Sequence, residues 1–152
     1  MTPPLPSDRQ AAALIARLAL APHPEGGWYR ETWRAPDLAG ARGAATAILF
    51  LLAAGERSHW HRVDADELWL WHAGAPLALL QAQGDAAPVS RIALGGDVLA
   101  GQQPQARVPA GWWQAAEAEA GWTLVSCVVA PAFRFEGFEL APPGWAPDQP
   151  SG

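Results

Sequence analysis

Apolar residues recur at helical spacing in one stretch near the start of the chain. Ala11, Leu14, Ile15 and Leu18 follow Ser7 and Gln10, which are spaced as a capping-box pair, and Pro22 and Pro24 close the segment. This predicts a helix over 8–20 with one apolar stripe, lying across the outside of something larger. Beyond it the period drops to two. In Gly26–Arg34, Trp28, Arg30, Thr32 and Arg34 share one face while Tyr29, Glu31 and Trp33 share the other. Ala44–Leu52 is apolar on both faces, as a strand covered on both sides should be. Further strands are predicted at Glu67–His72 and Ala75–Gln81, paired around Gly74, and at Val89–Leu94, Gln105–Val108, Trp112–Glu117, Trp122–Val129 and Phe133–Leu140. Turn signals recur every 8–12 residues or so, the rhythm of an all-β sandwich or barrel. No strand–helix alternation is present, which argues against a parallel nucleotide-binding sheet. The chain reads as a single domain over 1–152, with a barrel over 24–141 and an exposed, flexible Pro/Gly-rich tail over 142–152.

Composition narrows the function classes. The 152 residues are 50% hydrophobic and 16% charged, enough for a real core. Ten basic residues, all Arg, against fifteen acidic ones give a net charge of -5, and no basic run exists. A phosphate-tracking nucleic-acid surface is therefore not expected. Ala44–Ala54 is too short to span a membrane, and the N-terminus lacks the pattern of a signal peptide, so a cytoplasmic protein without a membrane partner is expected. The single cysteine, Cys127, excludes an internal disulfide and falls in an apolar strand, where it reads as a core residue.

Candidate chemistry centres on the histidines. On a regular strand His59 and His61 leave the same face with Cα atoms roughly 6.6 Å apart, close enough for two imidazoles to share one ion. Glu67 keeps the same parity six residues on, and Trp69 and Trp71 continue that face. A carboxylate and two imidazoles among large aromatics is the composition of a ligand site. The same residues also read as an HxH pair beside a solvated acidic turn. Pro109–Gly111 predicts a tight turn feeding a strand that carries Gln114, which either supplies a fourth ligand or hydrogen bond or faces solvent. His23, between two prolines, reads as a loop-stiffened surface group. No nucleophile elbow, Walker loop or dinucleotide fingerprint is present.

These motifs resemble a known family. The stretch from Gly55 through His59, His61 and Glu67 to Gly74 is similar to the first conserved motif of the cupin superfamily, and Pro109–Gln114 to the second. The segments 23–31, 58–62, 66–69, 108–111, 126–131 and 135–140 are similar to a cupin-5-like subfamily of unassigned function. The resemblance covers about residues 8–141. It implies a double-stranded antiparallel jelly roll, a homodimer, and a small-molecule pocket inside the barrel. Carried over, the metal-ligand positions of metal-binding cupins are His59, His61, Glu67 and Gln114, which would hold a divalent ion. Gln114 stands where a histidine belongs, and an amide oxygen is the weaker ligand for transition metals.

Without a metal, His61 and Glu67 become an acid–base pair, as in epimerase- or isomerase-like cupins. His59, Tyr29, Trp69, Trp71, Trp113 and Gln114 then form the substrate pocket. Glu67 in an apolar pocket is expected to have a raised pKa. A binding or sensing cupin without turnover is the alternative, distinguished by saturable ligand binding alone.

Overall fold

The computed structural model describes residues 2–148. Helix α1 (Arg9–Arg17) forms where the apolar stripe predicts it, but its cap is Asp8 and not Ser7. The Asp8 carboxylate accepts the backbone N–H groups of Gln10 and Ala11. The helix ends before either proline, and Ala19 then takes a left-handed φ of 54°. It is too short to cross a membrane, as is every helix among the described residues.

The rest of the described residues make two antiparallel sheets. Strands β1 (Ala21–Pro22), β2 (Trp28–Arg34), β3 (Thr46–Leu52), β5 (Asp66–Gly74), β8 (Gln105–Val108) and β10 (Thr123–Ala130) form one, in the order β1-β2-β3-β10-β5-β8. The other is β11-β4-β9-β6-β7, built from β4 (Arg57–Val63), β6 (Leu77–Ala82), β7 (Ser90–Leu94), β9 (Trp113–Glu117) and β11 (Phe138–Leu140). Together they are the double-stranded antiparallel β-helix of a jelly roll. Between them lies a core of Phe50, Leu52, Trp69, Leu79, Leu94 and Val125 with their neighbours. The doubly apolar β3 has its explanation in α1. Ala11, Ile15 and Leu20 cover Leu51 and Trp28 on the outer side, while Phe50 and Leu52 face the core.

Three departures from the expected pattern bear on the site. Residues 67–72 and 75–81 do not pair around Gly74. There the chain steps from one sheet to the other, with β5 between β10 and β8 and β6 between β9 and β7. Within 133–140 only Phe138–Leu140 is strand; Phe135–Gly137 is a 3₁₀ turn that sets Phe135 edge-on to Phe133 and Phe138. The expected tail is seated over 142–148. Trp145 packs on Trp113 with centroids 4.5 Å apart and ring planes tilted by 45°, and the Asp148 N–H bonds the Asp85 carbonyl. Residues 149–152 of that tail lie outside the described residues.

Candidate functional site

A cavity of about 60 Å³ opens between the two sheets. Strand β5 contributes Glu67, β4 His61, β10 Cys127 and β2 Tyr29; the loop before β2 adds His23 and Glu25, and Phe133, Phe135 and Phe138 form the wall. The chemistry of the cavity comes from two linked groups.

The first is centred on Glu25. His61 Nε2 lies 2.7 Å and Ser58 Oγ 2.6 Å from Glu25 Oε2, and all three side chains are buried. His61 Nδ1 sits 2.7 Å from the His59 carbonyl oxygen, which can only accept, so Nδ1 carries a proton. With Nε2 donating to a carboxylate, both ring nitrogens are protonated and the imidazole is a cation. Burial alone would lower the His61 pKa. The charge and hydrogen bond of Glu25, with the Glu67 charge and the His59 carbonyl, overcome burial and raise it to about 9. Burial pushes Glu25 up, but His61, His23 and Ser58 bring it below the ordinary carboxylate value. A locked ion pair results.

The second group is centred on Glu67. Its Oε1 accepts the Gln114 amide N–H at 3.0 Å, and Gln114 Oε1 accepts the Trp69 indole N–H at 2.8 Å. The indole therefore fixes which way the amide faces, and the amide fixes the carboxyl. Burial raises the Glu67 pKa, the charge of Glu25 adds to it, and His61, Gln114 and Cys127 oppose; the result is about 7. Burial pushes the Cys127 thiol up, which favours its protonated form beside Glu67.

The structure therefore brings His61, Glu67, Gln114, Trp69 and Tyr29 into or directly behind the cavity. His59 is elsewhere. Strand β4 pairs Ser58 with Ala116 and His61 with Gln114, three residues against two, so a bulge breaks the alternation between the histidines. The His59 ring turns outward and its Nε2 meets the Pro142 carbonyl at 2.9 Å. Trp71 faces the other end of the core, its indole N–H on the Ala75 carbonyl and its ring against Gly96. Trp113 lies on the outer face, between Trp145 and the Arg62 guanidinium, because its neighbour Gln114 takes the inward position. The walls are phenylalanine rather than tryptophan.

The expected metal set does not fit this arrangement. His59 is turned away, both nitrogens of His61 donate within the protein, and the Gln114 oxygen is held by Trp69. Among the described residues no group of three His, Cys, Asp or Glu side chains is placed to hold an ion.

Sequence reasoning missed Glu25 and misplaced His23, which is buried and lines the cavity. The signal lay in Gly26-Gly27, with φ values of 107° and 79°. Such a pair folds the loop back on itself, here returning the His23 N–H to the Gly27 carbonyl and pointing the intervening acid inward.

The family model described as cupin superfamily (DUF985) matches residues 12–141. Among solved structures, a hypothetical protein from Leishmania major is 36% identical with a TM-score of 0.75, covering 84% of each chain. A protein from Shewanella oneidensis is 38% identical with a TM-score of 0.78, covering 85% of this chain and 82% of that one. Oxalate decarboxylase from Bacillus subtilis shares the fold alone, at 10% identity and a TM-score of 0.56 over 78% of this chain and 29% of that one. No curated protein matches the sequence.

Proposed function

The chain belongs to the cupin superfamily, in its DUF985 family, and we propose that it is a proton-transfer enzyme, isomerase- or epimerase-like, acting on a small molecule in the barrel cavity. One observation carries this reading. Glu67 is a buried carboxyl at a cavity, oriented by Gln114 and Trp69, with a pKa of about 7. A general base works best when its pKa lies near the working pH, and few structural carboxyls are held there.

Glu67 takes a proton from a carbon next to a carbonyl, and negative charge develops on the carbonyl oxygen. His61 is not free to act as the acid, since its two N–H groups are donated to Glu25 and to the His59 carbonyl. It acts as a fixed positive charge that favours both ionised Glu67 and the developing oxyanion. The aromatic wall suits a substrate with an apolar face.

The test is deuterium exchange. Incubation with small hydroxycarbonyl compounds in D2O, followed by proton NMR, should show protein-dependent loss of the signal from the carbon beside the carbonyl. Glu67→Gln should slow that loss about 10²–10⁴-fold, the usual contribution of a general base. Saturable binding of the same compounds without any exchange would instead assign the cavity to ligand binding alone.

A further inference from the structure

His23 has a nitrogen to spare. Its ring is buried, lines the cavity, and stands edge-on to Tyr29, Phe50 and Phe138 with centroids 4.4, 5.9 and 6.2 Å away, so its orientation is fixed. The Glu25 backbone N–H donates to His23 Nδ1 at 3.1 Å, and the Glu25 carboxylate oxygen Oε1 stands 3.2 Å from the same nitrogen. The backbone N–H can only donate, so it takes up the Nδ1 lone pair and the proton of the neutral ring is on Nε2. Burial lowers the His23 pKa against the pull of the Glu25 carboxylate, and the His61 charge lowers it further; the ring is neutral. No described protein atom accepts from Nε2, yet among the described residues no buried polar side-chain atom lacks a partner. Nε2 is therefore open to space; His23 lines both the cavity and a groove beside Pro22 and Gly26, and it is the cavity that it shares with Tyr29 and Phe138, two of the rings it packs against.

The charges around the cavity restrict what can enter. Glu25 cancels His61, and Glu31 holds the Arg34 guanidinium with two hydrogen bonds of 2.8 and 3.0 Å. What remains is Glu67, neutral or negative. Among the described residues lining the cavity, no unpaired cation is left to draw in a phosphate or carboxylate.

From this geometry we infer that His23 Nε2–H is a catalytic hydrogen-bond donor to the substrate carbonyl oxygen, and that the substrate is a small uncharged hydroxycarbonyl compound. The inference rests on the proton-transfer reading above. Glu67 removes the proton, the C–H electron pair becomes a C=C bond, and the carbonyl π pair moves onto the oxygen held by His23. Reversal returns a proton, or in D2O a deuteron, from the Glu67 carboxyl to carbon.

Nitrogen-15 NMR of the wild-type imidazoles tests the donor directly. The His23 proton should lie on Nε2, and dihydroxyacetone should shift that resonance while pyruvate, of similar size but charged, should not. Two variants separate catalysis from packing. The amide oxygen of His23→Asn can replace Nδ1 and keep the Glu25 N–H bonded, but nothing replaces Nε2. In His23→Gln the amide reaches the Nε2 position. Exchange by His23→Asn should fall about 10²–10³-fold in kcat with little change in KM, as when one oxyanion donor is lost, and His23→Gln should recover at least about tenfold of it. A proton on Nδ1, an equal response to pyruvate, or equal activity of the two variants would overturn the inference. If the wild-type protein exchanges nothing, the proton-transfer reading fails, while the dihydroxyacetone shift still decides the donor: a shift upholds it and none removes it. The same measurement decides if either variant fails to fold.

Discussion

Glu67 is an acid that its surroundings keep close to half-protonated at neutral pH, and two consequences follow at the scale of that residue. As a base it must be ionised, so kcat/KM for exchange should rise with pH through about 7. It should fall again above about 9, where His61 gives up its proton and the fixed charge disappears. A rate that falls through pH 7 would make Glu67 the acid instead. Stability carries the same signature with its own sign. Between the ordinary value of 4.5 and about 7, folded Glu67 keeps a proton that the unfolded chain has lost, so stability declines as pH rises across that window. His61 acts likewise between 6.5 and about 9: its contribution is complete below 6.5 and gone above 9. Glu25, lowered in the fold, works in the opposite direction and weakens the protein only as acid protonates it. His23, lowered in the fold, opposes Glu67 below 6.5, where the unfolded ring is the one that takes up a proton. Urea unfolding at pH 5, 7 and 9 should therefore show wild-type stability falling clearly from 7 to 9, with the Glu67 fall from 5 to 7 offset in part by His23. Glu67→Gln can still accept from Gln114 and should make the fall from pH 5 to 7 shallower, with a smaller loss from the second step because the Glu67 charge helps raise His61; a first step as steep as in wild type would refute the raised pKa.

At the scale of elements, the site depends on one bulge and one loop. The extra residue in β4 turns His59 outward and leaves its backbone N–H free of β9; the Glu25 carbonyl accepts it at 2.7 Å. The bulge thus holds the loop that carries Glu25 and His23. Gly26 lets that loop lie flat on β4: a Cβ there would stand 2.3 Å from the Arg57 carbonyl oxygen, at a φ of 107°. Gly26→Ala should cost on the order of 1–3 kcal/mol, as for a residue forced into a sparsely populated conformation. It should also draw Glu25 away from His61, so the His61 pKa measured by NMR should fall from about 9 toward its ordinary value. An unchanged His61 pKa would mean the loop is not what places Glu25.

The same two elements mark where the sequence stopped being legible. A period of two located nearly every strand and gave Glu67 the parity of His61, because regular pleating is what a period measures, but it left Gln114 open between the cavity and solvent. It failed at His59 because a bulge inserts a residue without any local mark, and it failed at Phe133–Phe135 because a 3₁₀ turn interrupts an apolar run. His23 and Glu25 had no period to be read from. Their inward placement follows from loop geometry that only the glycine pair announced.

For the whole molecule, the outer face of the larger sheet poses the remaining question. Helix α1 covers Leu51 and Trp28 but leaves the far rows bare. Trp33, Ala47, Val128 and Leu68 are successive register partners across β2, β3, β10 and β5, ending at Arg107 on β8. Trp33 is 53% and Leu68 39% exposed, within a row that alternation along each strand turns away from the core. An apolar row crossing four strands is more than scattered surface hydrophobics require. We propose that a second copy of the chain covers it. Light scattering at micromolar concentration should then give about twice 16.1 kDa, and Leu68→Arg, which puts a second charge at the end of the row beside Arg107, should give 16.1 kDa. The cavity is reached from the opposite face of the same strands, so a monomeric Leu68→Arg should keep deuterium exchange within a few-fold of wild type. A wild-type monomer would refute the pairing. A monomeric variant that stays folded but loses exchange would mean the second copy does more than cover apolar surface, and that β5 needs its neighbour to hold Glu67 in place.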